Sequence, residues 1–331
     1  MKPAAFLGLF IILACLTAEN ARSQIIYAGI LGNRKYVVGA ENPPIGVYVS
    51  PDAEQWAHIC WTNCRVFDVF VVPNTQGQVI YVAGGNGVLK TVNGGLHWKI
   101  VTDWKITEVQ AIQAEAPSGR RVVIGTAYGI YVSEDGGDTW LEGNKGLEET
   151  FVSGLQMDRY HTRRIWAGTE GGLYRSLDGG LSWETTGLKG VAVRCVIQHP
   201  NDSDRLLAGT ENRGVYRSED GGLIWETCGR WPDSLTVYDL AFDPGRNEVI
   251  YAGTHGNGVY RSTNGGMSWK SYGRLTHPVV HAVAVHPSGF VLAGTVGGGI
   301  FINHKGRTWE HAGLEGAQVW SLFIDQEVRH D

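Results

Sequence analysis

The chain has 331 residues, 43% of them hydrophobic, with 12 Trp, 13 Tyr and 9 Phe, which is enough apolar bulk for a large core and excludes a disordered chain. Glycine, at 46 residues, is about twice the usual ~7% yet far below the one-in-three of a collagen, and it interrupts helices too often for a helical bundle. A formal charge of −5 with no Lys/Arg run argues against a nucleic-acid partner.

Met1-Lys2-Pro3 is a short basic start, followed by 13 uncharged apolar residues at 4–16. A membrane-spanning helix needs roughly 20 such residues, so the segment reads as a secretory signal. Ala21 and Ser23 stand at the −3 and −1 positions before Gln24, which assigns 1–23 to the signal and 24–331 to one mature domain. The alternative reading takes Ile12-Leu13-Ala14-Cys15 as a weak lipoprotein box, with a lipid anchor at Cys15. Either way the protein is predicted to be exported, to the periplasm, the cell surface or the medium, with no later span. Export permits disulfides. Cys60 and Cys64 flank Trp61-Thr62-Asn63 and are the disulfide candidates. Without a second Cys pair or a nearby His pair they are a poor zinc signal, and neither metal nor cofactor is expected.

From residue 38 onward the chain repeats itself. The words Ala167-Gly168-Thr169 and Leu173-Tyr174-Arg175-Ser176-Leu177-Asp178-Gly179-Gly180-Leu181-Ser182-Trp183 return over 208–225 and 252–269. Looser copies occupy 38–56, 83–98, 124–140 and 293–309. The closing tryptophans are Trp56, Trp98, Trp140, Trp183, Trp225, Trp269 and Trp309, spaced by 42, 42, 43, 42, 44 and 40 residues. Short β-rich runs at that period predict an all-β, seven-bladed propeller of four-stranded antiparallel blades. Strand A is read over 237–242, B over 249–253 and C over 258–262, with D starting at Trp269.

The C–D turn carries Ser/Thr-x-Asp/Asn-x-Gly-x-x-Trp, complete at Thr91, Ser133, Ser176, Ser218 and Ser262 and one residue short before Trp56 and Trp309. This wording resembles the Asp-box (BNR-type) repeat. Families built from it include sialidases, xyloglucan-type endoglucanases, sortilin-like receptors and photosystem II assembly factors. The resemblance implies the propeller fold and leaves the function open. Asn93, Asp135, Asp178, Asp220 and Asn264 are read as acceptors for backbone N–H groups of the turn, with Trp98, Trp140, Trp183, Trp225 and Trp269 packed beneath. One carboxylate per turn is too few for calcium.

The C-terminal residues 319–325 match strand A but lack B, C and D after them, while the first blade, read from 36 to 60, lacks a strand A. The C-terminal strand is therefore expected to complete that blade and remove two sheet edges. Residues 25–29 compete for the place, although they look more like strand B.

Antiparallel order puts the A–B and C–D turns at one end and the B–C and D–A loops at the other, where a site is expected beside the pore. Aligned strand-A starts give one row of Phe67, Gln110, Ser153, Arg194, Tyr238, His281 and Trp320, and a second of Asp68, Ala111, Gly154, Cys195, Asp239, Ala282 and Ser321. Asp68 and Asp239 are the catalytic candidates, because an inverting glycosidase needs two facing carboxylates. The plainer account has each locking one blade to the next through backbone N–H bonds. A sialidase-like site would draw three arginines from Arg65, Arg194, Arg213, Arg230 and Arg274, but the Phe-Arg-Ile-Pro signature is absent. Xyloglucan-type enzymes pair two propellers around a cleft, and one is present here. His199 and His286 precede Pro200 and Pro287 and read as turn residues. Trp61, Trp104 and Trp231 fall in D–A loops with Arg65, Lys105 and Arg230 nearby, and together with Arg194 and His281 they are the ligand-binding candidates. The reading is a non-catalytic, exported propeller that scaffolds assembly or binds a protein. Its alternative is a glycosidase or carbohydrate-binding propeller using Asp68 and Asp239.

Overall fold

The computed structural model describes residues 24–33, 42–232, 234–304, 306 and 308–325. The expected signal at 1–23, Cys15 and residues 36–41 of the expected first blade lie outside the described residues. Seven sheets, each of four antiparallel strands, form the propeller. Blade 2 shows the plan: strand A Val66–Val71, B Ile80–Gly84, C Gly87–Thr91 and D Lys99–Ile100. Blade 1 is composite, with A from Ala317–Ile324, B from Ile26–Asn33, C from Gly46–Ser50 and D from Ala57–His58. The last strand therefore closes the ring, pairing Ile26 with Ile324 and Ala28 with Leu322. Ile26–Asn33 is strand B, so the first blade begins before residue 36, contrary to the sequence expectation. Among the described residues, no helix is long and apolar enough to cross a membrane.

Strand B is buried along its length in blade after blade, because each sheet packs against a sheet on both faces. Its recurring Ala-Gly-Thr ending has a steric cause. A Cβ on Gly125 would lie 2.4 Å from Cγ1 of Val152, the first residue of the next blade's strand A. The same valine leans on Gly168, Gly209, Gly253, Gly294 and Gly29 in their blades, so only glycine lets consecutive blades approach this closely. The threonine then ties the B–C hairpin, as in Thr126 Oγ1 to Gly129 O at 2.9 Å.

The C–D turns hold themselves together. Ser133 Oγ donates to Asp135 Oδ1 at 2.8 Å and accepts the Gly137 N–H, while Asp135 accepts the Thr139 N–H and hydroxyl. Gly136 and Gly137 supply the positive φ angles, 76° and 96°. The short copy before Trp56 keeps this chemistry through Ser50 and Asp52, with Ala53 forced to φ 64°. Five of the seven turns are also stapled to the preceding blade, whereas Trp225 donates to Gly222 of its own turn. Trp98, Trp140, Trp183, Trp309 and Trp56 donate Nε1–H to the carbonyls of Ile59, Val101, Gly143, Tyr272 and Ala312. Every one of these carbonyls stands three residues after the previous blade's own closing tryptophan.

The channel mouth as candidate functional site

In all seven blades strand A slips by one residue against strand B near its start. The skipped residues are Phe67, Gln110, Ser153, Arg194, Tyr238, His281 and Trp320. A β-bulge bends its strand and re-aims the extra side chain, and here all seven bulged residues line one central cavity of about 480 Å³. The row read from the sequence is thus a ring of bulges.

The ring is chemically lopsided. His281 is sandwiched between Tyr238, with centroids 3.9 Å apart, and Trp320, at 3.7 Å. The Tyr238 hydroxyl meets His255 Nδ1 at 3.1 Å. Desolvation between the two rings pushes His281 down to about 3, helped by the nearby His255 and Arg194, so this histidine is neutral at ordinary pH. Farther round, the Arg65 guanidinium lies 5.3 Å from the Phe67 ring. Arg194 is held by Glu211, has Glu170 at 3.8 Å, and donates to Ser153 Oγ at 3.4 Å. The mouth thus offers an aromatic side over blades 6, 7, 1 and 2 and a charge-paired side over blades 4 and 5.

One step deeper stand Asp68 and Asp239. Asp68 accepts the N–H of Val69 at 2.8 Å and of Ile112, in the next blade, at 3.1 Å. It also accepts the hydroxyl of Ser321, in the preceding blade, at 3.1 Å. Asp239 accepts the N–H of Leu240 and, across the next seam, that of Val283, both at 2.8 Å. Burial in the ring lifts Asp68 to about 6 and Asp239 to about 7, the Asp68 charge adding to the second, although the donated N–H bonds pull both down. Both carboxylates face the cavity and both serve as blade-to-blade connectors.

The remaining candidates divide. Trp61 and Trp104 are exposed, at 47% and 83%, on D–A loops. Lys105 Nζ stands 5.7 Å from the Trp104 ring, and Arg65 is 3.7 Å from Glu108. Arg230 is exposed. Trp231 does not join them. It folds back to Trp269, with ring centroids 5.1 Å apart, and its Nε1 takes the Cys228 carbonyl at 2.6 Å. That is the carbonyl Trp269 would bond by analogy with the other seams, and Trp269 Nε1 has no partner among the described residues. Of the five arginines considered for a triad, Arg194 alone lines the cavity. Cys60 and Cys64 are free thiols that share one apolar cluster. Among the described residues no group of three or more His, Cys, Asp or Glu is placed to hold a metal. Sequence reasoning did not single out the stack of Tyr238 and Trp320 on His281, or Glu170 and Glu211 beside Arg194. The signal was the first strand-A row, whose aromatic members are neighbours around the ring.

No protein-family model and no curated protein matches the chain. Solved structures do. The xyloglucanase of glycoside hydrolase family 74 from Xanthomonas campestris is similar with a TM-score of 0.69 at 17% identity, over 93% of this chain and 53% of that one. The extracellular domain of a putative one-component system from B. thetaiotaomicron gives 0.65 at 16% identity, over 86% of this chain and 38% of that one. YCF48 bound to a D1 peptide gives 0.58 at 17%, over 76% and 83%. The likeness is one of fold. This chain spans about half the length of the xyloglucanase and less of the B. thetaiotaomicron domain, and it is a seven-bladed propeller like its neighbours.

Proposed function

We propose that this protein is a non-catalytic, exported propeller that binds a protein segment at its channel mouth. The observation that carries this reading is how the side chains there are employed. Asp68 and Asp239 spend their oxygens on N–H groups of their own and the next blade. Phe67, Tyr238, His281 and Trp320, by contrast, are brought to the cavity by bulges that serve no pairing. Trp61, Arg65, Trp104 and Lys105 extend the surface outward with the aromatic and cationic residues that most often anchor interfaces. One structural neighbour, YCF48, is a propeller bound to a peptide. Export rests on the apolar segment at 4–16 and accords with the extracellular setting of another neighbour, and a lipid anchor at Cys15 is the variant of it.

A second reading is favoured by a different observation. Two carboxylates lifted to about 6 and about 7 share one cavity, and a raised carboxyl is what a general acid requires. Polysaccharide is the substrate class under that reading, and the xyloglucanase fold agrees with it. One paired experiment separates the two. A random-peptide library is panned on the full chain, and the same preparation is assayed for reducing ends released from xyloglucan and related glucans. Enriched peptides whose affinity falls roughly tenfold or more in Trp320→Ala, with no sugar released, support peptide binding. Sugar release abolished by Asp68→Asn or Asp239→Asn in folded protein overturns it in favour of the glycosidase.

A further inference from the structure

Residues 59–65 join strand D of blade 1 (Ala57–His58) to strand A of blade 2 (Val66–Val71). Both ends of this link are pinned. Ile59 N donates to Val47 O at 2.9 Å, and Ile59 O receives the Trp98 indole at 2.6 Å. Val66 starts the next strand against Gly29 of blade 1. Between the pins the chain reverses through Asn63, at φ 68°, in the left-handed region that asparagine tolerates. That reversal brings Cys60, buried, and Cys64, half-buried, into the same apolar cluster as Val66, Val82 and Leu89.

We infer that Cys60 and Cys64 form a reversible disulfide that clips the loop carrying Trp61 to the wall between blades 1 and 2. The polarity of the pair suits the chemistry. Each sulfur acts on the other, pushing Cys60 up and holding Cys64 down, which favours Cys64 as the thiolate. The co-reactant is a disulfide, either glutathione disulfide or the active-site disulfide of an exported thiol oxidoreductase. The Cys64 thiolate attacks one of its sulfurs, forming a mixed disulfide and expelling one thiolate. Cys60 then gives up its proton and attacks the Cys64 sulfur, forming the protein disulfide and expelling the second thiolate. The protein loses two electrons and two protons, and the co-reactant becomes two thiols. Trp61, exposed in the middle of the clip, would lose freedom on oxidation and regain it on reduction.

The inference does not depend on what the mouth binds, and its geometry is testable outside any cell. The full chain, prepared reduced, is titrated with glutathione disulfide, alkylated and mapped by mass spectrometry. The expected product is a peptide in which Cys60 and Cys64 resist alkylation and together lack two hydrogens, with slower tryptic cleavage after Arg65. Cys60→Ser, which removes the resolving thiol, should instead trap glutathione on Cys64, and the half-buried Cys64→Ala should keep the melting temperature of the reduced wild type and show neither product at this loop. Free thiols at both positions, or a wild-type glutathione adduct at Cys64 that never resolves, would overturn the inference. So would a pairing of either residue with Cys195 or Cys228. A disulfide that forms in this titration in a protein that binds no peptide would leave the clip standing and the proposed function failing.

Discussion

Asp135, in a C–D turn at the outside of the propeller, and Asp68, in the channel wall, make the same number of hydrogen bonds. Asp135 accepts the Thr139 hydroxyl and N–H and the Ser133 hydroxyl. Asp68 accepts the Val69 and Ile112 N–H groups and the Ser321 hydroxyl. Their titration runs in opposite directions: the Thr139 hydroxyl, its N–H and the Ser133 hydroxyl hold the exposed Asp135 well below the usual range, whereas burial lifts Asp68 to about 6. The difference teaches that solvation, rather than the count of donors, sets the state of a carboxylate here. It also separates two jobs. The outer carboxylate shapes a turn within one blade, and the inner one ties three blades together.

The severest test of the inner tie is removal of residues 317–331. That deletion takes away strand A of blade 1 together with Ser321, opening the ring and stripping Asp68 of one donor. Loss of a cooperative thermal transition is expected, and an unchanged melting temperature would contradict the closure. Asp68→Ala comes next. It leaves the Ile112 N–H without its acceptor across a seam, at a cost of about 2–3 kcal/mol by denaturant unfolding. Asp135→Ala, whose turn donors reach water, should cost clearly less. Equal costs would break the comparison.

Aromatic side chains repeat the contrast. Trp231→Ala empties the space against Trp269 and Tyr260 and should destabilise by about 2–3 kcal/mol. Trp104→Ala and Trp61→Ala should change stability by less than about 0.5 kcal/mol while weakening any ligand found for the mouth. A Trp104→Ala variant that unfolds would make that residue core.

The pH dependence is the finest test. The folded-state pKa values of Asp68 and Asp239, about 6 and about 7, exceed the unfolded value of 3.8. The folded state therefore holds extra protons between pH 4 and 7, and these two groups make stability fall as pH rises through that window. Asp135 has the opposite sign: its contribution is complete above the unfolded pKa and is lost as pH falls below it. His281, held down to about 3, acts against Asp68 and Asp239 up to its ordinary value of 6.5, so the difference between variants, rather than the wild-type profile alone, reads the assignment. Asp239→Asn should gain melting temperature relative to the wild type as pH rises from 4 to 7, and a variant whose profile runs parallel to the wild type would refute the assignment.

Blade number, strand order and turn chemistry were legible in the chain because each is local. The spacing of Trp56 to Trp309, the Ser-x-Asp turns and the Ala-Gly-Thr endings each report a contact made within one repeat or with its immediate neighbour. The match of 319–325 to strand A disclosed ring closure for the same reason, since that segment carries a strand with no blade of its own. Only the tertiary structure decided what the side chains do. The spacing that put Trp231 in a D–A loop does not say that its indole turns back to the Cys228 carbonyl, because that choice is made by Trp269 in the next blade. The row Tyr238, His281 and Trp320 gives no hint of face-to-face stacking, which arises when bulges in three blades converge on one axis. Asp68 and Asp239 read equally well as catalysts or connectors until their partners in adjoining blades are seen. A repeat encodes its own blade, while the energy of a side chain at the channel depends on residues some forty positions or more away, which local pattern does not record.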